Sequence, residues 1–136
     1  MSKNVNIESG LTKYTFSDAS GEIVAYFRMN PTDIRLAQRA DKAVEFLQNM
    51  AQTVKEHPTT EDLLEYDKQL TDQINLILGY DAAATLFGFM SATTVMGDGK
   101  IFAALVLETI AENLKADLES RFEKFKALSK YTAKYE

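Results

Sequence analysis

Between Leu11 and Met29 apolar and polar residues alternate in short runs, and from Asn30 onward the apolar period lengthens to three and four. The first pattern predicts two strands, LTKYTF and EIVAYFRM, joined by SDASG, where Gly21 is suited to a positive φ. On the second strand Ile23, Ala25, Phe27 and Met29 share one face, and Glu22, Val24, Tyr26 and Arg28 share the other. That other face is half apolar, so both sides of the hairpin are expected to be partly covered. A lone hairpin is marginal in water. It must therefore pack on the helices or pair with a strand of another copy.

The longer period predicts three main helices and one short one. NPTD places Asn30 as N-cap, Pro31 in the first turn and Asp33 as the returning acid of a capping box, with the helix running to about Lys55. Ala37, Ala40, Val44, Leu47, Ala51 and Val54 form its seam, which Leu36, Ala43, Phe46 and Met50 widen. After His57 and Pro58, Thr59 and Asp62 supply a second capping box. Leu63, Tyr66, Leu70, Ile74 and Ile77 make the buried stripe of that helix; Glu65, Asp67, Lys68 and Asp72 are expected to face water, and Gly79 to close it. Asp81 caps a short helix over AAATLF, ending at Gly88. Beyond Met96-Gly97-Asp98-Gly99, with Asp98 as N-cap, a last helix runs to about Tyr131 along Phe102, Leu105, Leu107, Ile110, Leu114, Leu118, Phe122, Phe125 and Leu128.

The fold class expected is mainly α. An N-terminal β-hairpin segment (1–29) precedes a compact bundle of three main helices and one short helix (30–136), the last helix long, in a single domain over 1–136. At a rise of 1.5 Å per residue, that last helix would span about 48 Å. The two shorter helices would cover about two-thirds of that length. Phe122, Phe125 and Leu128 are thus expected to project past the domain as a partner surface.

Composition narrows the function classes. The net charge of −5 is concentrated: residues 60–114 carry nine acids and two bases, against seven of each in 1–59 and four acids with six bases in 115–136. An acidic middle is not the footprint of a nucleic-acid binder. Arg28, Arg35, Arg39 and Lys42 form a small basic stripe, diluted by Asp33, Asp41 and Glu45. No apolar run approaches the roughly 18 residues that cross a membrane, and MSKNVNIESG lacks the order of a secretory signal. With no cysteine, a reducing cytoplasm is the expected compartment.

Catalytic chemistry is not legible. His57 is the one histidine and sits in a connector with no nucleophile motif. Glu108 and Glu112 share a helix face but lack the Glu-x-x-His partner of a carboxylate-bridged metal site. GDGK at 97–100 suggests a phosphate loop, but the glycine needed five positions before Gly99 is Thr94. An anion at the N-terminus of the last helix remains physically allowed. Neither an enzyme nor a cofactor or metal is expected.

One stretch resists a polar-loop reading. In LFGFMSATTVMGDGK (86–100), Leu86 and Phe87 are expected to anchor the short helix, while Phe89, Met90, Val95 and Met96 are either core or a surface for another protein.

The order of FRMNPTDIRLAQRA, then DQINLILGYDAAATLFG, then a glycine loop and a long helix resembles the tail assembly chaperones of tailed bacteriophages of Gram-positive hosts. NPTDI (30–34) and LILGYDAAATLFG (76–88) carry the likeness, which extends over nearly the whole chain. The resemblance implies a non-enzymatic protein that binds the tape-measure protein in the host cytoplasm before the tail tube polymerises. It also implies self-association, the tail tube protein as a second candidate partner, and absence from the mature virion. Protein-binding residues are then expected at Phe89, Met90, Val95, Met96, Phe122, Phe125 and Leu128. The alternative is a small helical phage structural or adaptor protein that self-assembles without a client.

Overall fold

The computed structural model describes residues 2–7 and 10–114, together with Glu119. Strand β1 (Thr12–Ser17) pairs antiparallel with β2 (Ile23–Met29), Tyr14 opposite Phe27 and Phe16 opposite Ala25, with an irregularity between Phe16 and Ser17. The turn is organised by Asp18. Its carboxylate accepts from Ser20 Oγ at 2.6 Å and from the Ser20 and Glu22 amides. These bonds, the Ser20 hydroxyl first, hold the Asp18 pKa below the usual carboxylate range. Gly21 takes the positive φ (86°) that closes the loop.

The hairpin resolves its expected instability inside the chain. Tyr14 stacks on Phe27 at 5.0 Å, Phe27 leans on Phe16, Phe16 meets Phe102 edge-on at 5.5 Å, and Phe102 meets Phe87 edge-on at 5.7 Å. This row of rings ties both strands to the helices, each ring pair adding about 0.5–1.5 kcal/mol beyond burial. Ala25, Phe27 and Met29 are buried as the alternation predicted. Ile23 is not: it stands 56% exposed, next to the turn and beyond the irregularity.

Helix α1 (Ile34–Gln52) begins later than the NPTD reading places it. Asn30 spends its side chain on Thr32, accepting from the amide at 3.1 Å and from Oγ1 at 2.8 Å, so residues 30–33 form a turn. Asp33 is the N-cap, accepting from the Arg35 amide. At the far end Thr53 donates from both N and Oγ1 to the Met50 carbonyl, stopping the helix three residues before Lys55. The buried line is Leu36 and Ala43, with Ala40, Leu47 and Met50 packed beside it, while Val44, Phe46 and Val54 face outward. Residues expected to flank the seam thus form its centre. The apolar stripe of α1 is broad, and only the position of its neighbour decides which half is covered.

Helix α2 (Thr60–Leu78) carries the full capping box at Thr59 and Asp62 and ends on Gly79 at φ 80°. Leu70, Ile74, Ile77 and Leu78 are buried, Tyr66 is half-buried, and Leu63 faces out. Arg39 near the start of α1 reaches Ile77 at the end of α2, and Lys55 just past the end of α1 pairs with Asp62 at the start of α2. The two helices therefore run antiparallel. Helix α3 (Ala83–Leu86) packs against β2 and is shorter than expected. Its N-cap is Ala82, with no side-chain cap; Asp81, expected there, accepts instead from the Ala83 amide and the Asn75 side chain just before the helix. Helix α4 (102–114) buries Phe102, Ala103, Val106, Ile110 and Leu114. Val106 thus lies at the centre of a stripe expected to run through Leu105 and Leu107, which are only partly buried. The expected extension to Tyr131, with Leu118, Phe122, Phe125 and Leu128, lies outside the described residues.

Candidate functional site in the loop between α3 and α4

Residues 87–101 are fixed at points along their length. Phe87 seats its ring on Phe102, and Ala92 is fully buried. The 91–94 turn closes through Thr94 N–H to the Ser91 carbonyl and through a Ser91–Thr94 hydroxyl contact of 2.9 Å. Asp67 on α2 accepts from the Thr93 amide at 3.2 Å. Asp67, expected to face water, is instead half-buried and anchors this loop.

GDGK is neither a phosphate loop nor a helix cap. Val95 and Ile101 form an antiparallel bridge, flanked by Met96 N–H to Lys100 O at 2.8 Å and Phe102 N–H to Thr94 O at 2.9 Å. Asp98 accepts from the Lys100 amide and organises the tip, so it does not cap α4. The first amides of α4 donate instead to loop carbonyls, Phe102 to Thr94 and Ala103 to Ala92. Those donors are the ones an anion would need. Lys100 pairs with Glu108 at 3.1 Å. Among the described residues, no three His, Cys, Asp or Glu side chains gather closely enough to hold a metal ion, and His57 lies exposed in its connector.

The core-or-surface question over this stretch is answered residue by residue. Leu86 is fully buried; Phe87, Met90 and Met96 pack against the core. Phe89 and Val95 point away, 61% and 66% exposed. Phe89 lines a shallow hollow of about 550 Å³ between α3 and β2, together with Ile23, Tyr26 and Lys13. The Lys13 ammonium lies 4.3 Å from the centre of the Tyr26 ring and caps one side of this patch. Phe89 and Ile23 thus come to one patch, whereas Val95 belongs to the separate tip of the loop. Sequence reasoning missed Ile23, whose place in the alternation assigns it to the core. Its position beside the turn was the available signal. Phe122, Phe125 and Leu128 lie outside the described residues.

Comparison with protein-family models, with curated proteins and with solved structures returns no match. None of the helices among the described residues is long and apolar enough to cross a membrane.

Proposed function

We propose that this chain is a non-enzymatic tail assembly chaperone that binds and solubilises a phage tape-measure protein in the host cytoplasm, in several copies, and leaves before the virion matures. The observation that supports this reading is the pair of apolar side chains, Phe89 and Val95, held outward on a loop whose other large residues are packed. A tape-measure protein is a long amphipathic helix whose apolar stripe aggregates when bare. A binder that covers many unlike segments benefits from separate Phe and Met contacts more than from one shaped pocket. Phe89 with Ile23 on one patch, and Val95 on the separate loop tip, have that character, with Met90 and Met96 packed against the core. The acidic segment 60–114 keeps a multi-copy coat soluble.

The test is co-expression with the tape-measure protein, scored by client solubility and co-purification. Phe89→Ser is expected to leave the fold intact and reduce capture. A client that stays insoluble, with no complex eluting, would overturn the proposal. A fixed oligomer that ignores the client would instead support the self-assembling adaptor, with the tail tube protein as the next partner to try.

A further inference from the structure

A second site lies on the opposite end of β2 from the loop patch. The end of β2, the start of α1 and the end of α2 enclose a hollow of about 380 Å³, within the roughly 300–1,000 Å³ of ordinary small-ligand sites. Its wall includes Met29, Leu36 and Leu78, each nearly fully buried, and its polar edge carries Arg39, Tyr80 and Asp33. Arg39 is held in place. Its Nε donates to the Ile77 carbonyl at 3.0 Å, and its Nη2 sits so close over Gly79 that a Cβ there would meet it at 3.3 Å. This capping contact at the C-terminus of α2 uses one of five guanidinium donors.

The remaining donors on Arg39 have no carboxylate partner among the described residues. The ion pairs there are Lys55–Asp62 and Lys100–Glu108, so neither Asp33 nor the Asp72 and Asp81 of the adjoining hollow comes within 4.0 Å of it. Asp33 is committed to the Arg35 amide. Tyr80 Oη accepts from the Arg28 amide at 2.7 Å, which fixes the hydroxyl and leaves its hydrogen to donate. An oriented guanidinium and a phenol O–H beside an aliphatic wall are complementary to one ligand chemistry.

We propose that this hollow binds a carboxylate carried on an aliphatic body, the acid taken by Arg39 Nη and Tyr80 Oη–H and the hydrocarbon laid on Met29, Leu36 and Leu78. The assignment stands apart from the chaperone reading. Two sources supply that chemistry, a free aliphatic acid and an acidic side chain next to leucines in a peptide.

Titrations of the full chain followed by methyl NMR test it. The probes are hexanoate against hexanamide, and acetyl-Ala-Glu-Leu-Leu-amide against the same peptide with Gln for Glu. At least one acid is expected to shift the Met29, Leu36 and Leu78 methyls and to bind at least tenfold more tightly than its amide. Preference for hexanoate identifies a free acid as the source; preference for the Glu peptide identifies a peptide. Arg39→Gln is expected to erase the acid preference, with circular dichroism checking the fold. Should that variant unfold, the acid-against-amide comparison on the unaltered chain still decides. Acid and amide binding alike, an acid preference retained in folded Arg39→Gln, or no shift of these methyls would each overturn the proposal.

Discussion

Thr59 and Asp62 show how much of an element one side-chain pair determines. Thr59 Oγ1 accepts from the Asp62 amide at 3.1 Å, and Asp62 Oδ2 accepts from the Thr59 amide at 2.9 Å. Thr59→Ala is expected to cost about 1 kcal/mol, read as a lower urea midpoint at unchanged slope. The Thr59 amide, followed by the Lys55 ammonium, holds the Asp62 pKa below the ordinary carboxylate range. A pKa lower in the folded chain than in the unfolded one means that the unfolded chain binds the proton first. The stability from Asp62 is therefore full above the unfolded carboxylate pKa and is lost as pH falls through the depressed folded value. Asp18 follows the same sign. In urea melts taken from pH 7 down to pH 2, Asp62→Asn is expected to flatten this acid loss; an unchanged pH profile would remove Asp62 from the account. At this scale Phe89 and Phe102 are opposites although they are only thirteen positions apart. Phe102→Ala opens a cavity at the crossing of two ring contacts and should cost about 3–5 kcal/mol. Phe89→Ser, on an exposed side chain, should stay within about 0.5 kcal/mol of the unaltered chain in the same melts.

Among the elements, those with a single local cause are legible, whereas two competing local caps or a tertiary cause are not. The hairpin, the second capping box, Gly79 and the short α3 were each read from residues within a few positions of one another, and each is present. The start of α1 was misplaced because Asn30 and Asp33 are both good caps, and the choice depended on Asn30 bonding to Thr32 instead. Asp67 was missed because its partner, Thr93, is 26 residues away. The patch joining Phe89 to Ile23 was half legible, since the loop declared its apolar residues but not which of them turn inward. Gly79 offers a test at this scale. Its φ of 80° is a left-handed conformation that a Cβ penalises, and the added methyl would press on the Arg39 guanidinium at 3.3 Å. Gly79→Ala is therefore expected to destabilise by about 1–2 kcal/mol, measured by thermal melting. Its effect should shrink in an Arg39→Ala background, where the crowding part of the penalty is gone.

For the molecule as a whole, the row of rings from Tyr14 to Phe87 makes hairpin, α3 and α4 share a core, so the outward patch on Phe89 rests on a rigid base. A rigid base with small separate contacts has a quantitative consequence if several copies coat one client. Each copy then binds weakly, and the affinity of the coat comes from neighbours that raise one another's effective concentration. Apparent affinity should therefore climb with client length. A tape-measure fragment long enough for two copies is expected to bind at least tenfold more tightly than one long enough for a single copy. Phe89→Ser should lower affinity more on the longer fragment than on the shorter, because every copy along it loses the same contact. Sedimentation of fragments of graded length measures both quantities. Affinity independent of length would argue for one fixed complex, and with it for an adaptor that assembles for its own sake over a chaperone that coats its client.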